Sequence, residues 1–286
     1  MARPRRGAAL AFGLRPRKRA PPRGNPRPSP RGIPAGPARQ GIAAPCAKLL
    51  SCGMETIILA SASPRRLDFF RLLELPFRSV PAGIDEAVEP GAGPREAAES
   101  LALRKALAAA GMLGWPAFAA RAAGAGRSAG AGSAAPALPA AGGAPPAEGG
   151  AGGGDARWAL GADTIVALGG EILGKPGGRD EAREMLRRLS GRRHEAVTGM
   201  ALLDRLSGRA DVRSASCEVE FARLEEGEIE WYLGTGEWQG AAGGYRLQER
   251  GACLAAFAKG SPSAAAGLPL REFCAMLREN GCRIWA

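Results

Sequence analysis

The apolar run TIILA at residues 56–60 leads directly into SASPRR at residues 61–66, and this junction decides the fold. A short apolar run predicts a buried strand, and Pro64 suits the first position of a helix, where its missing N–H costs no hydrogen bond. The N-terminus of such a helix binds anions, and guanidinium groups such as those of Arg65 and Arg66 match phosphate. The junction therefore predicts a phosphate-binding corner, and a helix N-cap without a ligand is the alternative.

The rest of the chain alternates strand patterns with helix patterns. Predicted strands lie at 56–60, 77–80, 158–167, 171–173, 194–204, 210–222 and 252–259, and predicted helices at 64–74, 94–109, 179–189, 225–234 and 270–280. This alternation, with one long β-hairpin, predicts an α/β fold in which a mixed β-sheet is flanked by helices. A single domain is expected to span residues 54–286.

Two low-complexity segments are expected to lie outside the folded core. Residues 1–53 carry twelve of the 39 Lys and Arg and no acidic residue, and they are rich in proline. Disorder is therefore expected, and the open explanations are a mis-assigned start upstream of Met54, a transit segment and a nucleic-acid-binding arm. Residues 111–154 are mostly Ala, Gly and Pro, which predicts a disordered insertion in a surface loop.

The charge and cysteine content exclude several classes of function. Residues 54–286 have 27 basic against 28 acidic residues, so the net charge of +11 belongs to the N-terminal segment and a nucleic-acid-binding body is not expected. Six cysteines without a C-x-x-C pair predict free thiols, and a zinc site is not expected. The one histidine, His194, has no G-x-S-x-G motif beside it and is expected to be structural. No run is long and apolar enough for a membrane span.

The strand-like sequence WALGADTIV at residues 158–166 contains one acidic residue, Asp163. A carboxylate within an apolar strand is costly to bury unless it meets a cation or a metal. Asp163 is therefore the best candidate for a catalytic or metal-binding carboxylate, and an exposed position on an edge strand is the alternative.

Two glycine-rich stretches add polar groups. GGEILGKP at residues 169–176 resembles a P-loop motif. Pro176, however, stands where a P-loop has a hydroxyl residue, and proline cannot donate a backbone N–H. We therefore expect a β-turn here that presents Lys175 near Asp163. EWQGAAGGYRLQ at residues 237–248 ends in Gln248, an amide that can read a base edge. These groups suggest phosphoanhydride hydrolysis assisted by a divalent ion.

Eight motifs in order resemble the Maf family of nucleoside triphosphate pyrophosphatases. They are ASASPRR (60–66), GIDE (83–86), LRKA (103–106), GADT (161–164), GKP (174–176), SGRRH (190–194), AGGYRLQ (242–248) and GLPL (267–270). The resemblance implies a single domain similar to inosine triphosphate pyrophosphatase, with a central cleft. It also implies a cytoplasmic enzyme, a homodimer and no membrane partner.

The resemblance assigns roles to individual residues. It implies that Asp163 is the general base and that Glu86 and Asp163 hold a divalent cation, Mg²⁺ or Mn²⁺. The residues expected to bind the nucleoside triphosphate are Ser61, Arg65, Arg66, Lys105, Thr164, Lys175 and Gln248.

Substrate preference is implied by three of these positions. The branch of the family that acts on dTTP and UTP has Arg, Thr and Gln where this chain has Arg65, Thr164 and Gln248. Hydrolysis of dTTP, UTP and modified pyrimidine nucleotides to monophosphate and pyrophosphate is therefore expected. A 7-methyl-GTP pyrophosphatase and a non-enzymatic nucleotide-binding regulator of cell division are the alternatives. Where the family has Gly after the glutamine, this chain has Glu249.

Overall fold

The structure, a computed structural model, describes residues 55–118 and 156–282. The strands are β1 (Ile57–Leu59), β2 (Phe77–Ser79), β3 (Trp158–Leu168), β4 (Glu171–Leu173), β5 (Arg193–Asp204), β6 (Arg209–Phe221) and β7 (Ala255–Gly260). The helices are α1 (Pro64–Leu72), α2 (Pro94–Met112), α3 (Arg179–Leu189), α4 (Glu226–Gly234), α5 (Pro262–Ala265) and α6 (Leu270–Glu279), with 3₁₀ turns at Ala242–Gly244 and Arg250–Leu254.

The seven strands form one mixed sheet, as the sequence predicts. Its order is β2-β1-β3-β5-β6-β7, and β4 pairs with β3 beside β1. β1 is parallel to β2 and β3, whereas the other pairs are antiparallel. β5 and β6 form the predicted long hairpin, in register from Arg193 opposite Glu220 to Asp204 opposite Arg209.

Helices cover both faces of the sheet because side chains alternate between the faces along each strand. In β3, Leu160 packs with Phe70 of α1 and Phe273 of α6 on one face. The next residue back, Ala159, packs with Ala102 of α2 on the opposite face. The alanine-rich side of α2 lets this helix lie close to the sheet, and on this side Ala97, Leu101, Ala102 and Lys105 are buried.

A third core lies at the other end of the long strands. The helices α3 and α4 pack there against β5 and β6, around Leu186, Val219 and Tyr232. Ion pairs from Arg179 and Arg183 to Glu230 join the two helices on the outside of this core. The long strands β3, β5 and β6 thus connect two sets of helices.

The folded chain extends further into the predicted insertion than its composition suggests. α2 runs three residues past the predicted end to Met112, and residues 116–118 are helical. Trp115 and Phe118 are 1 % and 0 % exposed, packed with Ala106 and Leu203. The assignment of residues 111–118 to a disordered insertion is therefore corrected, since two aromatic side chains bury enough apolar surface to hold them. Residues 119–154 and 1–53 lie outside the described residues.

The predicted strand at 252–259 begins later than expected. Residues 250–254 form a 3₁₀ turn, and β7 begins at Ala255. A Cβ at Gly251 would lie 2.5 Å from the carbonyl oxygen of Arg246, so the chain turns too tightly there for a strand. The short α5, opened by Pro262, was not predicted. Within the two described ranges, the helices are too short or too polar to span a bilayer.

Candidate active site

A gap along one edge of strand β3 defines the site. β1 pairs with β3 only over residues 158–160, and β4 pairs with it only over residues 166–168. Residues 161–165 pair with β5 on their other side and lie between these two short neighbours. The centre of β3 is therefore open to side chains from α1, α2 and the chain after β4, and this stretch carries Asp163 and Thr164.

Two glycines bring helix α2 against the face of the sheet that carries Asp163. A Cβ on Gly161, two residues before Asp163, would lie 2.1 Å from the carbonyl oxygen of Ala102. A Cβ on Gly199, which pairs with Asp163, would lie 2.3 Å from the carbonyl oxygen of Ala98. Only glycine allows so close an approach of the two backbones. The approach places Lys105 of α2 over Asp163.

Lys105 joins the two predicted carboxylates. Its Nζ donates a hydrogen bond to Asp163 Oδ1 and another, 2.8 Å long, to Glu86 Oε1. Lys105 and Asp163 are 8 % and 6 % exposed, so this ion pair is nearly dry. The ion pair offsets the cost of burying the charges of Lys105 and Asp163, and Glu86 lies at the exposed side of the ammonium.

Lys175 completes a four-residue charge cluster through Glu86. The Lys175 Nζ donates a hydrogen bond to Glu86 Oε2. Burial alone would raise the pKa of Glu86, but the hydrogen bonds from Lys105 and Lys175 outweigh it and hold that pKa at about 2. Glu86 is therefore ionised throughout the neutral range, and the cluster of Asp163, Glu86, Lys105 and Lys175 has no net formal charge.

The loop that carries Glu86 is fixed by a residue that the sequence analysis did not single out. Arg104 of α2 donates hydrogen bonds to the carbonyl oxygens of Ala87 (2.9 Å) and Asp85 (2.6 Å), on either side of Glu86. Arg104 and Lys105 are adjacent, so one helix positions both the carboxylate and its partner. In the sequence, the signal for Arg104 was its place in the LRKA motif.

Arg66 ties the predicted phosphate-binding corner to β3. Its guanidinium donates to Gly267 O (2.8 Å), Ser61 Oγ (3.2 Å) and Thr164 Oγ1 (3.2 Å). The Thr164 hydroxyl lies 2.8 Å from that of Thr198, which donates to Ala264 O at 2.6 Å. Burial lowers the pKa of Arg66, and the charges of Asp163 and Glu86 oppose that effect. Arg66 therefore holds the Gly267 carbonyl and the hydroxyls of Ser61 and Thr164 in place.

Arg65, the neighbouring residue, is placed differently. It lines the pocket, and among the contacts of the described residues it makes no hydrogen bond or ion pair. Burial, followed by the like charges of Arg246 and Arg66, lowers the pKa of Arg65 to about 10. Arg65 thus remains a cation at neutral pH, with all its donors available to an anion.

These side chains surround a pocket of about 320 Å³. Cationic side chains are the commonest charged groups on its wall, namely Arg65, Arg66, Lys105, Lys175 and Arg246. The structure thus brings together the predicted residues Arg65, Arg66, Lys105, Asp163, Thr164 and Lys175, with Ser61 and Glu86 directly behind them.

The structure does not bring Gln248 to this pocket. Its side chain is exposed, and its Nε2 lies 3.5 Å from Glu249 Oε1. The wall is lined instead by Gln239, Tyr245, Arg246 and Glu249. Sequence reasoning missed this set because a glycine-rich stretch does not reveal which of its side chains point inwards.

His194 is buried, as expected for a structural residue, and contacts Tyr245 on the pocket wall. Its Nε2 is 2.7 Å from the Tyr245 hydroxyl, and its ring packs edge-on against Phe221 at 4.9 Å. Burial lowers the pKa of His194 to about 4, so the imidazole is neutral at physiological pH. A neutral imidazole can fix the orientation of the Tyr245 ring, which lines the pocket.

The carboxylates of Asp163 and Glu86 are oxygen donors of the type that divalent cations such as Mg²⁺ take in proteins. Both already contact one cation, the Lys105 ammonium. Within residues 55–118 and 156–282, no group of three or more His, Cys, Asp and Glu is arranged to hold a metal ion. Mg²⁺ is commonly held by one or two carboxylates, with substrate phosphates as further ligands. Two carboxylates therefore fit a divalent cation whose remaining ligands come from outside the protein.

Comparison with known proteins gives consistent matches. The Maf-like protein family model matches residues 56–280. A dTTP/UTP pyrophosphatase of Pelotomaculum thermopropionicum is 36 % identical over 81 % of this chain and 100 % of its own length. One from Myxococcus xanthus is 38 % identical over 79 % of this chain and 92 % of its own.

A solved structure of a nucleoside-triphosphatase / dITP/XTP pyrophosphatase from Mycobacterium abscessus is more distant. It is 17 % identical, with a TM-score of 0.30, over 59 % of this chain and 75 % of its own. That similarity is too low for a comparison of the two sites. The family match over nearly the whole described chain, and full-length relatives above 30 % identity, show that this chain belongs to the Maf family.

Proposed function

We propose that this protein hydrolyses dTTP and UTP to the nucleoside monophosphate and pyrophosphate. The observation that carries this proposal is the Lys105 ammonium held between Asp163 and Glu86 on the wall of a cationic pocket. Its relatives in Pelotomaculum and Myxococcus, named dTTP/UTP pyrophosphatases, supply the substrate class. The Arg65 and Thr164 positions on the pocket wall agree with that class.

The pocket suits a triphosphate because cationic side chains already line its wall. The Lys175 side chain is 46 % exposed, and Arg65 has uncommitted donors among the described contacts. Guanidinium groups bind phosphate oxygens through paired N–H groups, and an ammonium binds them as a point charge. A triphosphate in the pocket would therefore replace the intramolecular partner of Lys175 and give Arg65 the anion that it lacks.

Asp163 is suited to activate the attacking water. The carboxylate accepts a proton as the water oxygen forms a bond to the α-phosphorus, and the bond from that phosphorus to the bridging oxygen of the β-phosphate breaks. Pyrophosphate leaves with the bonding electrons, toward the cationic wall. The nearby Lys105 ammonium donates a hydrogen bond to this carboxylate and fixes its direction.

A divalent cation, Mg²⁺ or Mn²⁺, is part of the proposal. Asp163 and Glu86 would hold it together with the substrate phosphates, and it would neutralise charge that develops on the triphosphate. The family resemblance also suggests a homodimer and a cytoplasmic location, and both stay predictions.

The test is pyrophosphate and monophosphate release by the full chain from dTTP, UTP, CTP, GTP and 7-methyl-GTP, with Mg²⁺ or Mn²⁺. We expect dTTP and UTP to lead. In Asp163→Asn we expect kcat to fall by about 10²–10⁴-fold, the usual effect of losing a positioned base. Asp180→Asn is the matched control, because Asp180 is 94 % exposed on α3.

Each other outcome rejects a definite part of the proposal. Near-normal turnover by a folded Asp163→Asn variant would remove Asp163 from the role of base. Turnover led by 7-methyl-GTP would keep the chemistry and reject the substrate class. Nucleotide binding without turnover would identify a regulator that binds nucleotides and does not hydrolyse them.

A further inference from the structure

One part of the pocket wall carries a charged pair that the proposed chemistry does not use. Arg246 and Glu249 both line the pocket, in the stretch between the 3₁₀ turns at Ala242–Gly244 and Arg250–Leu254. The sequence predicts base recognition by Gln248 in this stretch. Arg246 and Glu249 line the pocket, however, and Gln248 does not.

This pair is not bonded to the carboxylate cluster, although both line the same pocket. Among the described residues, no hydrogen bond or ion pair joins Arg246 or Glu249 to that cluster. A triphosphate whose α-phosphorus lies at Asp163 therefore leaves Arg246 and Glu249 to another part of the nucleotide.

Arg246 is held in place by contacts outside the pair. Its backbone N–H donates to the Tyr232 hydroxyl at 3.0 Å, and its Nη2 donates to the Gln239 carbonyl oxygen at 3.0 Å. Its Nε is buried and has no hydrogen-bond partner among the described residues. The guanidinium is thus anchored at one corner, while part of its donor capacity is unused.

Glu249, in contrast, has only weak partners among the described residues. Arg246 Nη1 lies 3.5 Å from Glu249 Oε2, and Gln248 Nε2 lies 3.5 Å from Glu249 Oε1. Both distances are at the outer limit for a hydrogen bond. The Glu249 side chain is about one-third exposed, so its oxygens can accept stronger hydrogen bonds from a ligand.

We propose that Arg246 and Glu249 read the base of the nucleotide, with Glu249 accepting a ring N–H and Arg246 donating to the adjacent carbonyl oxygen. That N–H beside C=O edge is the edge of uracil and thymine. Cytosine presents a lone pair on the ring nitrogen and an amino group beside it. In the same pose each of these would face a like group, an acceptor against Glu249 and a donor against Arg246. The pair therefore selects UTP and dTTP against CTP.

This inference rests on the proposed function, so its test uses a ratio within one pyrophosphate-release assay. The ratio of kcat/KM for UTP to kcat/KM for CTP is measured for the full chain, Glu249→Gln and Arg246→Gln. We expect the ratio to fall by about 10-fold or more in each variant, since hydrogen bonds to charged groups carry discrimination of this size. A general change in the charge of the pocket alters kcat/KM alike for UTP and CTP, and it therefore cancels in the ratio.

Two matched controls remove the same charges away from the pocket. Arg209 is the exposed first residue of β6, and Glu184 lies on an exposed side of α3. Both Arg209→Gln and Glu184→Gln are expected to keep the wild-type ratio. Thermal unfolding of all four variants shows whether a changed ratio comes from a folded protein.

The outcomes separate this inference from the proposed function. A wild-type chain that releases no pyrophosphate refutes the proposed function, and the relative affinities of UTP and CTP then test the pair by binding alone. An equal loss for UTP and CTP would make the pair a phosphate contact and overturn the inference. An unchanged ratio in both variants would also overturn it, with the proposed function intact.

Discussion

A Cβ atom on Gly161 would lie 2.1 Å from the carbonyl oxygen of Ala102 and 2.9 Å from the Cβ of Ala106. Helix α2 therefore rests directly on strand β3, backbone against backbone. Because Lys105 lies between these two alanines in sequence and Asp163 lies two residues after Gly161, this contact sets the distance between the ammonium and the carboxylate. The glycine of the GADT motif is thus part of the site geometry, although it carries no reactive group.

Gly161→Ala tests this contact. The added methyl group must push α2 away from β3, and we expect the free energy of unfolding to fall by about 2 kcal/mol or more. Turnover per folded molecule falls as well, because Lys105 leaves Asp163. Urea unfolding and steady-state kinetics measure the two effects.

The control for that substitution is Gly227→Ala. Gly227 lies in helix α4, and a Cβ atom there would meet no neighbouring element of the described chain within 4 Å. Alanine there is expected to stabilise the protein by about 0.5 kcal/mol, since it restricts the unfolded chain. Equal stability of the Gly161→Ala variant and the wild type would mean that α2 does not touch β3 as described.

The two adjacent arginines of α1 are expected to respond in opposite ways to removal. Arg66→Ala leaves the Gly267 carbonyl and the Ser61 and Thr164 hydroxyls without their donor, so we expect Tm to fall by about 5 °C or more. Arg65→Ala removes a side chain that serves only the pocket, so Tm should stay within about 2 °C of the wild type.

Kinetics complete this comparison. For Arg65→Ala we expect kcat/KM to fall by about 10- to 100-fold, because a charged donor to the triphosphate is lost. Calorimetry and pyrophosphate release on the same preparations measure both properties. Equal losses of Tm in the two variants would contradict the division of roles between Arg65 and Arg66.

Trp115→Ala tests whether residues 111–118 belong to the folded core, as the structure places them. The indole is 1 % exposed and packs with Phe118 and the α2 face of the sheet, so we expect a loss of about 3–5 kcal/mol in the free energy of unfolding. Trp231→Ala is the control, because Trp231 is 49 % exposed, and it should change stability by less than about 1 kcal/mol. Similar effects of the two substitutions would place Trp115 outside the core.

The sequence predicts the fold well where periodicity and glycine or proline punctuation coincide. Pro64 opens α1, the β5–β6 hairpin turns at the predicted residues, and the mixed sheet follows from the alternation of elements. The start of the insertion was misplaced because its composition, rich in Ala and Gly, continues that of α2. The buried side chains of Trp115 and Phe118 hold residues 111–118 against the core, and the average composition of the segment does not reveal two aromatic residues.

The candidate site was predictable as a set of residues but not as an arrangement. The motifs supplied Asp163, Glu86 and the lysines. They could not show that Arg65 is free while Arg66 is bonded, because both follow the same proline. Side-chain direction in the irregular stretch after Tyr245 was equally hidden, since no period of 2 or 3.6 applies there. Gln248 was therefore expected in a place that the structure gives to Arg246 and Glu249.

His194 allows a pH prediction that one resonance can test, because it is the only histidine in the chain. Burial holds the pKa of its imidazole at about 4 in the folded state, against about 6.5 in the unfolded chain. Between these values the unfolded state binds a proton that the folded state does not, so stability is complete above pH 6.5 and falls as the pH drops toward 4. The loss attributable to His194 should reach about 2–3 kcal/mol. Urea unfolding of the wild type and His194→Gln at pH 7.5 and 4.5 isolates this loss, because the carboxylates titrate alike in both. NMR titration of the single imidazole should give a midpoint near 4, and a midpoint near 6.5 would show that His194 is not buried against Tyr245 and Phe221.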